Sequence, residues 1–197
     1  MKLHVDADAK PTAIHVPSKV PLHWENKVKQ QLQDDVNLGV LEKVPYGQPS
    51  EWCHRMVVIC KSDGGPRRTV DMSALNKVSR RETHHVKPPF DQAKSIPPNT
   101  WKSVTDAWNG FHSIPLAEEY RHLTTFITPW GRYQYRMAPQ GSLASGDGYS
   151  RRYDEVIADV ERKTNVLMTL LTGMMISQSI GGACLIFSSY VDAMALS

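Results

Sequence analysis

The stretch MVVICKSDGGPRRTV, residues 56–70, carries the clearest structural signal in the chain. A short apolar run leads into a cluster of turn-forming residues, 61–66, and a second short run, 67–70, follows it. Two runs of strand length on either side of Asp-Gly-Gly-Pro predict antiparallel strands joined by a tight turn. We therefore expect a β-hairpin whose tip is basic, because Lys61 and Arg67 flank the turn.

The segment ahead of this hairpin contains one predicted helix. Residues 1–20 are expected to be extended, since Pro11 and Pro17 interrupt any helical pattern. Apolar residues then recur at helical spacing through residues 24–38, and Gly39 is a suitable stop. This pattern predicts an amphipathic helix that packs one face on the rest of the domain.

Three further elements are predicted after the hairpin. Residues 101–105 have the composition of a strand that would deliver Asp106 at its end. A second hairpin is expected from residues 123–127 and 133–135, around a Pro-Trp-Gly-Arg turn. Helical spacing resumes near Asp147, which is a candidate N-cap. Helices mixed with hairpins favour an α+β domain.

Composition narrows the class of protein without naming a function. A chain of 197 residues is long enough for one domain, or a domain and a half, and its net charge of +3 decides nothing. The 3 cysteines are an odd number without paired zinc-type spacing, so free thiols are expected. Scattered histidines argue against a structural metal site, and the N-terminus lacks the apolar stretch of a signal peptide.

Four segments follow one another in a recognisable order. They are residues 49–64, 67–76, 104–116 and 138–141, the last led in by 128–136. Together they resemble the fingers and palm of a reverse transcriptase from a long-terminal-repeat retrotransposon of the Ty3/gypsy type. Any one match would be weak, but the order and spacing of all four make a chance resemblance improbable.

The resemblance covers roughly residues 18 to 164 and implies a fold and an activity. We expect residues 21–164 to form part of a right-hand polymerase, with its fingers and the first half of its palm. The activity implied is RNA-directed DNA synthesis, with an RNA or DNA template-primer and a deoxynucleoside triphosphate as partners. No specific protein partner is predicted, and the family implies a cytoplasmic location or a virus-like particle.

Three charged residues match positions that handle the triphosphate in such enzymes. Asp106 matches a carboxylate that binds Mg²⁺, a cation that prefers hard oxygen ligands. Lys61 and Arg67 match the residues that hold the triphosphate, where Arg can bind phosphate oxygens through two donors. Outside this context, Asp106 would be a turn or N-cap residue and Lys61 part of a solvated turn.

Three further residues match the pocket around the sugar and the base. Phe111 matches the bulky ring that lies under the sugar and would clash with a 2′-hydroxyl group. Gln140 and Gly141 match a turn that approaches the incoming base and the template. The alternative interpretations are a core aromatic for Phe111 and an ordinary turn glycine for Gly141.

The sequence also departs from the family pattern. Ser73 stands where many relatives have Arg, which makes the fingers less basic. The Tyr-x-Asp-Asp-type motif that supplies two more metal-binding carboxylates is missing from its expected position. Residues 190–193, Tyr-Val-Asp-Ala, resemble it superficially but lie late and lack the second Asp. The chain is therefore expected to be inactive as a polymerase.

The departure coincides with a break in composition at residue 165. Asp192 is the only charged residue from 165 onward, and all 23 Lys and Arg residues lie before it. Residues 165–169 can be encoded as AAY GTN TTR ATG ACN. When the reading frame is moved one nucleotide upstream, the same bases read YGT NTT RAT GAC, and these codons permit Cys-Val-Asp-Asp. Residues 173–176 similarly permit Trp-Asp-Asp-Asp. A slipped reading frame would therefore hide acidic residues beneath an apolar tail, near Met168.

Other interpretations of the tail and of the chain remain open at this point. A slipped tail would contribute no specific core and would leave apolar surface exposed. Alternatively, residues 166–197 are a membrane anchor or a native buried helix. Ser, Gln and Gly interrupt the apolar run that a membrane span requires. The whole chain could also be a non-catalytic remnant that binds nucleic acid, or a membrane-tethered protein of unknown role.

Overall fold

The computed structural model describes residues 1–85, 91, 94, 101–106, 109–156, 158, 163–168 and 171–178. The chain divides into two compact units by its internal packing. The first unit consists of Met1–Glu82 and Ile114–Ser145, and the second of Thr83–Ser113 and Gly146–Ser197.

The first unit is built on a mixed sheet. Its strands and helices are β1 (His4–Val5), α1 (Glu25–Asn37), β2 (Leu41–Lys43), β3 (His54–Cys60), β4 (Pro66–Asp71), α2 (Ser73–Lys77), β5 (Ser79–Arg80), α3 (Glu118–Arg121), β7 (Phe126–Thr128) and β8 (Gly131–Tyr135). Short 3₁₀ turns span Leu22–Trp24 and His122–Thr124. Helices and hairpins therefore alternate, and the α+β prediction is confirmed.

Five strands form the main sheet in the order β2-β8-β7-β3-β4. The predicted hairpin is β3 and β4, with Met56 opposite Val70 and Ile59 opposite Arg67. The second hairpin pairs β7 with β8, and β7 joins the first hairpin by parallel pairing of Phe126 with His54. This parallel pairing brings the two hairpins into one sheet.

The core of this unit lies under the sheet and against α1. Val28 and Leu32 on the inner face of α1 are fully buried, as the helical spacing predicted. Their partners include Phe126 and Met56 on the sheet and Leu75 on α2. Gly39 ends the helix with a φ of +72°, a backbone conformation that glycine adopts without strain.

A partly buried ion pair links α1 to the hairpin. Asp35 accepts a hydrogen bond from Arg68, whose side chain is mostly buried. The Nε of Arg68 is buried without a partner among the residues that the structure describes. Tyr135 is close enough to feel both charges, and burial raises the pKa of its hydroxyl to about 12. Arg68 thus depends on Asp35 for its charge compensation.

The second unit contains a three-stranded sheet and a long helix. The strands are β6 (Trp101–Asp106), β9 (Lys163–Met168) and β10 (Leu171–Gln178), in the order β6-β10-β9, and the helix is α4 (Leu143–Val156), which begins in the first unit. The strand predicted to deliver Asp106 is confirmed as β6.

The first part of the apolar tail forms two β-strands. Residues 163–168 and 171–178 form a hairpin, and β10 pairs with β6 from Gly173 to Gln178. The expectation that the tail contributes no specific core concerns side-chain packing, which this backbone pairing does not test, so it stays a prediction. Backbone N–H and C=O groups pair whatever the side chains are, so an uncharged segment can occupy these strands.

Two predicted boundaries are wrong. Helix α4 begins at Leu143, so Asp147 is not an N-cap but a buried residue inside the helix. The strand predicted from residue 123 begins only at Phe126, because residues 122–124 form a 3₁₀ turn. The Leu143 N–H at the start of α4 donates to Asn76, a residue distant in sequence.

The described residues bear on two further predictions, a membrane-spanning helix and free cysteines. Across the described residues, the structure contains no helix of the length and apolarity that a membrane crossing needs. Cys53 is a buried free thiol and Cys60 an exposed one, as predicted. Cys184 lies outside the described residues.

We predict that Asp35→Asn destabilises the chain by about 3 kcal/mol, because it leaves the buried Arg68 charge uncompensated. Equilibrium unfolding in urea measures the change. Asp34→Asn is the matched control, since Asp34 is exposed and only accepts a hydrogen bond from Gln30 on the same helix. Its effect should stay within about 0.5 kcal/mol. Equal losses for both variants would contradict the role of the ion pair.

Candidate functional site

The hairpin of β3 and β4 presents two of the predicted site residues. Lys61 begins the turn, where its N–H donates to the Gly65 carbonyl at 2.8 Å and its carbonyl accepts from Gly64 at 3.0 Å. Arg67 is the second residue of β4. Both side chains are exposed, so their positive charges are available to an anion. The basic tip predicted from the sequence is confirmed.

Neighbouring arginines on β4 have different environments. Successive residues of a strand point to opposite faces, so Arg67 and Arg68 diverge. Arg68 turns inward to Asp35, whereas Arg67 stays exposed. Helix α1 also lies beside the hairpin tip, since a methyl group at Gly65 would lie 3.6 Å from Lys27 Nζ. Lys61 and Arg67 are therefore exposed on a hairpin that contacts helix α1 on one side.

Asn76 joins the second and fourth motifs of the sequence. Its side-chain Nδ2 donates to the Gly141 carbonyl at 2.7 Å, and its Oδ1 accepts from the Leu143 N–H at 3.1 Å. The second bond satisfies a backbone donor at the start of α4. Asn76 therefore fixes the turn that carries Gln140 and Gly141. The sequence alone assigned Asn76 no role, because only the contact reveals it.

The turn at Gln140 and Gly141 approaches β4 closely. Gly141 has a φ of +96°, and a methyl group there would lie 3.1 Å from the Val70 carbonyl oxygen. Gln140 is half-buried beside it. A side chain at position 141 would be strained by its backbone conformation as well as crowded. The close approach that the structure shows is to β4, and the approach of this turn to the base and the template stays a prediction.

Asp71 and Ser73 are hydrogen-bonded to each other at the start of the helix that carries Asn76. The Asp71 carboxylate accepts hydrogen bonds from the Ser73 hydroxyl at 2.5 Å and the Ser73 N–H at 3.0 Å. These two bonds hold the pKa of the Asp71 carboxyl below its ordinary value. Ser73 thus has a structural partner at the position where the sequence departs from the family pattern.

Asp106 is the last residue of β6. Its backbone is opposite Gly173 of β10, and Gly173 is opposite Val166 of β9. The row of residues that crosses the sheet at Asp106 therefore reads Asp, Gly, Val. No residue of β9 or β10 is acidic, so the strands beside Asp106 bring it no second carboxylate.

Phe111 lies in a 3₁₀ turn, Gly110–Ser113, that follows β6. Asn109 has a φ of +50°, a left-handed conformation that Asn tolerates, and His112 donates back to its carbonyl at 2.8 Å. The Phe111 ring meets Tyr149 of α4 edge to face, with centroids 5.7 Å apart. Tyr149 therefore supports the ring predicted to lie under the sugar.

Tyr149 also explains the glycine before Phe111. A methyl group at Gly110 would lie 2.6 Å from the Tyr149 ring, closer than atoms can pack. Tyr149 in turn stacks on Tyr153, with centroids 5.7 Å apart. The sequence identified Tyr149 and Tyr153 only as apolar helix positions. Their contact with Phe111 was not predictable from helical spacing.

The predicted site residues thus fall into two sets. Lys61, Arg67, Gln140 and Gly141 belong to the first unit, and Asp106 and Phe111 to the second. Within the part of the chain that the structure describes, no group of three or more His, Cys, Asp or Glu residues could hold a metal ion. Residues 190–193 lie outside that part.

Comparison with known families decides the affiliation. The profile described as reverse transcriptase (RNA-dependent DNA polymerase) matches residues 55–196. The chain belongs to the reverse transcriptase family. The match extends past residue 164, where the resemblance found from motifs ended, and includes the hairpin of β9 and β10.

A viral polyprotein is similar in sequence to this reverse transcriptase domain. The enzymatic polyprotein of Cestrum yellow leaf curling virus is 25% identical over 154 residues, which is 75% of this chain and 24% of the polyprotein. The chain therefore spans about a quarter of this curated relative. Its Ty3/gypsy affiliation is not established by this match.

Solved structures share the fold. A crystal structure of the prototype foamy virus protease-reverse transcriptase matches 98% of this chain and 25% of its own, at 19% identity and a TM-score of 0.78. The foamy viral enzyme in complex with an RNA/DNA hybrid matches 98% of this chain and 26% of its own, at 18% identity and a TM-score of 0.76. The chain thus has the fingers and palm fold of a reverse transcriptase, and it corresponds to about a quarter of the length of these foamy viral chains.

We predict that Gly141→Ala destabilises this domain by about 1 to 2 kcal/mol, since it combines a left-handed backbone with crowding against Val70. Gly146→Ala is the matched control. Gly146 lies inside α4 with open space around its Cα, so Ala should stabilise the helix by about 0.5 to 1 kcal/mol. Thermal unfolding of both variants should give shifts of opposite sign, and shifts of the same sign would contradict the close approach.

Proposed function

We propose that this chain is a reverse transcriptase fragment that binds template-primer and nucleotide weakly and does not polymerise as encoded. Family membership supports the RNA-directed DNA polymerase lineage. The observation that carries the inactivity is the row of Asp106, Gly173 and Val166 across the second sheet. A polymerase of this type needs carboxylates from more than one strand of this sheet, and β6, β9 and β10 together supply one, Asp106.

The proposed roles of the residues follow from their surroundings. Lys61 and Arg67 contact the triphosphate, because both are exposed on a braced hairpin. Phe111 contacts the sugar and is positioned by Tyr149. Gln140 and Gly141 contact the base and template through the turn that Asn76 fixes.

Nucleic-acid binding is proposed from charge and from related structures. Foamy viral relatives of the same fold have been solved with double-stranded DNA and with an RNA/DNA hybrid. The present chain offers a modest net charge of +3 and a basic hairpin tip. Contacts of that kind go to the nucleic-acid backbone and are weak and salt-dependent.

A magnesium site does not fit the residues as encoded. Mg²⁺ requires near-octahedral oxygen ligands, usually with one or two carboxylates and substrate phosphates. Asp106 is the one acidic residue of the three strands β6, β9 and β10. One carboxylate supplies too few oxygen ligands to hold the two ions of such a site, so no catalytic step is assigned to this chain.

The cause we propose for the missing carboxylates is a slipped reading frame near codon 165. Strands β6 and β9 run parallel, because each pairs antiparallel with β10. Their last residues, Asp106 and Met168, therefore lie at the same edge of the sheet. The Asp-Asp codons of the upstream frame overlap codons 167 to 169, at the end of β9.

The strand geometry supports this proposal. Two strand spacings separate β6 from β9, which puts their backbones about 10 Å apart. Two carboxylates at the end of β9 and one at the end of β6 could then converge on ions between them. The register of the hairpin is a property of the backbone, so it supports the frame proposal independently of the codons.

The origin and location of the chain are also proposals. A retrotransposon of the Ty3/gypsy type is the source favoured by the motif order, and a virus-like particle or the cytoplasm is the expected location. A membrane anchor is less favoured, because residues 163–168 and 171–178 form strands.

We predict that the purified chain does not extend a primer on an RNA or DNA template with Mg²⁺, because it lacks the second carboxylate pair. Incorporation of labelled nucleotide should equal that of Asp106→Ala. Incorporation above that variant would refute the proposed inactivity.

The coding DNA then separates the causes. A slipped frame requires that the Leu167 codon be TTR and that the upstream frame stay open beyond codon 176. Any other Leu167 codon, or an early stop in that frame, would reject the slip while leaving the inactivity in place.

Duplex binding should depend on the hairpin tip. We predict that Lys61→Ala with Arg67→Ala lowers the slope of log affinity against log salt by about 2, since each lost phosphate contact contributes about 0.9. Fluorescence anisotropy with a labelled duplex measures the slope. The double variant Lys10→Ala with Lys19→Ala removes the same charge from exposed positions in the N-terminal segment. An equal change in that control would contradict a hairpin-specific site.

A further inference from the structure

The loop between β2 and β3 has an unusual exposed tip. Residues 45–48 form a turn in which the Gln48 N–H donates to the Pro45 carbonyl at 3.4 Å. Gly47 is its third residue and has a φ of +80°, as a type II turn requires. Tyr46 is the second residue and is 91% exposed.

Arg132 on β8 holds this loop from beneath. Its Nη1 donates to Ser50 Oγ at 2.7 Å, and its Nη2 donates to the carbonyls of Gln48 at 2.5 Å and Pro45 at 3.5 Å. The Val44 N–H donates to the Arg132 carbonyl at 2.9 Å. The backbone under Tyr46 is therefore fixed by groups that do not involve its ring.

The ring of Tyr46 has no part in the core of the domain. Single exposed apolar residues are common on protein surfaces, and exposure alone would carry no argument. Tyr46 differs because its backbone is already immobilised, so a contact made by the ring loses little conformational entropy. A flat aromatic on a fixed turn is suited to stacking against another flat ring.

The charges beside the loop select the kind of ring. Lys43 is exposed at the end of β2, and a methyl group at Gly131, next to Arg132, would lie 3.7 Å from Lys43 Cε. Positive charge from Lys43 and Arg132 thus lies close to the loop. Aromatic residues combined with cations are the arrangement that binds single-stranded nucleic acid, because every base has a face that can stack.

We propose that Tyr46 is a stacking platform for an unpaired base of single-stranded RNA or DNA, with Lys43 close to the neighbouring phosphates. A duplex is not the ligand, because its bases are already stacked on one another. A protein partner is not favoured, since a stable interface needs about 800 Å² on each side and one ring supplies far less. The inference rests on the proposed nucleic-acid binding and names the strand that this loop contacts.

The test uses the full chain with two labelled ligands, a single-stranded oligothymidylate and a blunt duplex. Tyr46→Ala should lower the affinity for the single strand at least about fivefold, because stacking of one base is worth from about 1 kcal/mol. Tyr46→Phe keeps the ring and should retain the affinity. Leu22→Ala is the matched control, because Leu22 is 86% exposed and aliphatic, and it should change nothing.

The outcomes separate this inference from the proposed function. A loss with Tyr46→Ala, but not with Tyr46→Phe, on the single strand alone supports stacking. An unchanged affinity with Tyr46→Ala overturns the inference, as does an equal loss with Tyr46→Phe, which would indicate a hydroxyl contact. If the single strand binds unchanged while Lys61→Ala with Arg67→Ala weakens the duplex, this inference fails and the proposed function stands.

Discussion

The pairing of His54 with residues 123–126 holds the first unit together. The His54 N–H donates to the Thr125 carbonyl at 2.8 Å, and its Nε2 lies 2.9 Å from the Leu123 carbonyl. A carbonyl can only accept, so Nε2 carries the proton. Burial holds the pKa of His54 below its ordinary value and favours the neutral ring. One residue thereby joins two hairpins that are far apart in the chain.

Local patterns predicted most elements of the fold. Helix α1, the strands β3 and β4 and the strand ending at Asp106 all follow from spacing and turn chemistry within a few residues. The start of α4 did not, because the group that accepts the Leu143 N–H is Asn76, 67 positions away. The parallel pairing of β3 with β7 could not be predicted either, because the hydrophobic pattern of a strand does not identify the strand with which it pairs.

The residues of the candidate site were predictable from the sequence, but their contacts were not. The order of the motifs identified the site residues. The structure shows what positions two of them: Asn76 hydrogen-bonds to the turn at Gly141, and Tyr149 packs against Phe111. The neighbours of Asp106 depend on strand register, which the composition of the tail obscured. The family profile spans that tail to residue 196, which indicates that similarity to the family persists where the charge pattern is lost. The assigned roles remain predictions, as does the slipped frame.

The alternation of Arg67 and Arg68 limits how this region can change in evolution. One added or lost residue within Pro66–Asp71 would exchange the two faces of the strand. The exposed cation would then be buried opposite Asp35, and the ion-paired cation would be turned out to solvent. The turn that begins at Lys61 lies outside the ladder, so it can absorb whole-codon insertions at little cost. Variation in length among related sequences should therefore collect at the tip of the hairpin, while the strand keeps its length and its alternating order.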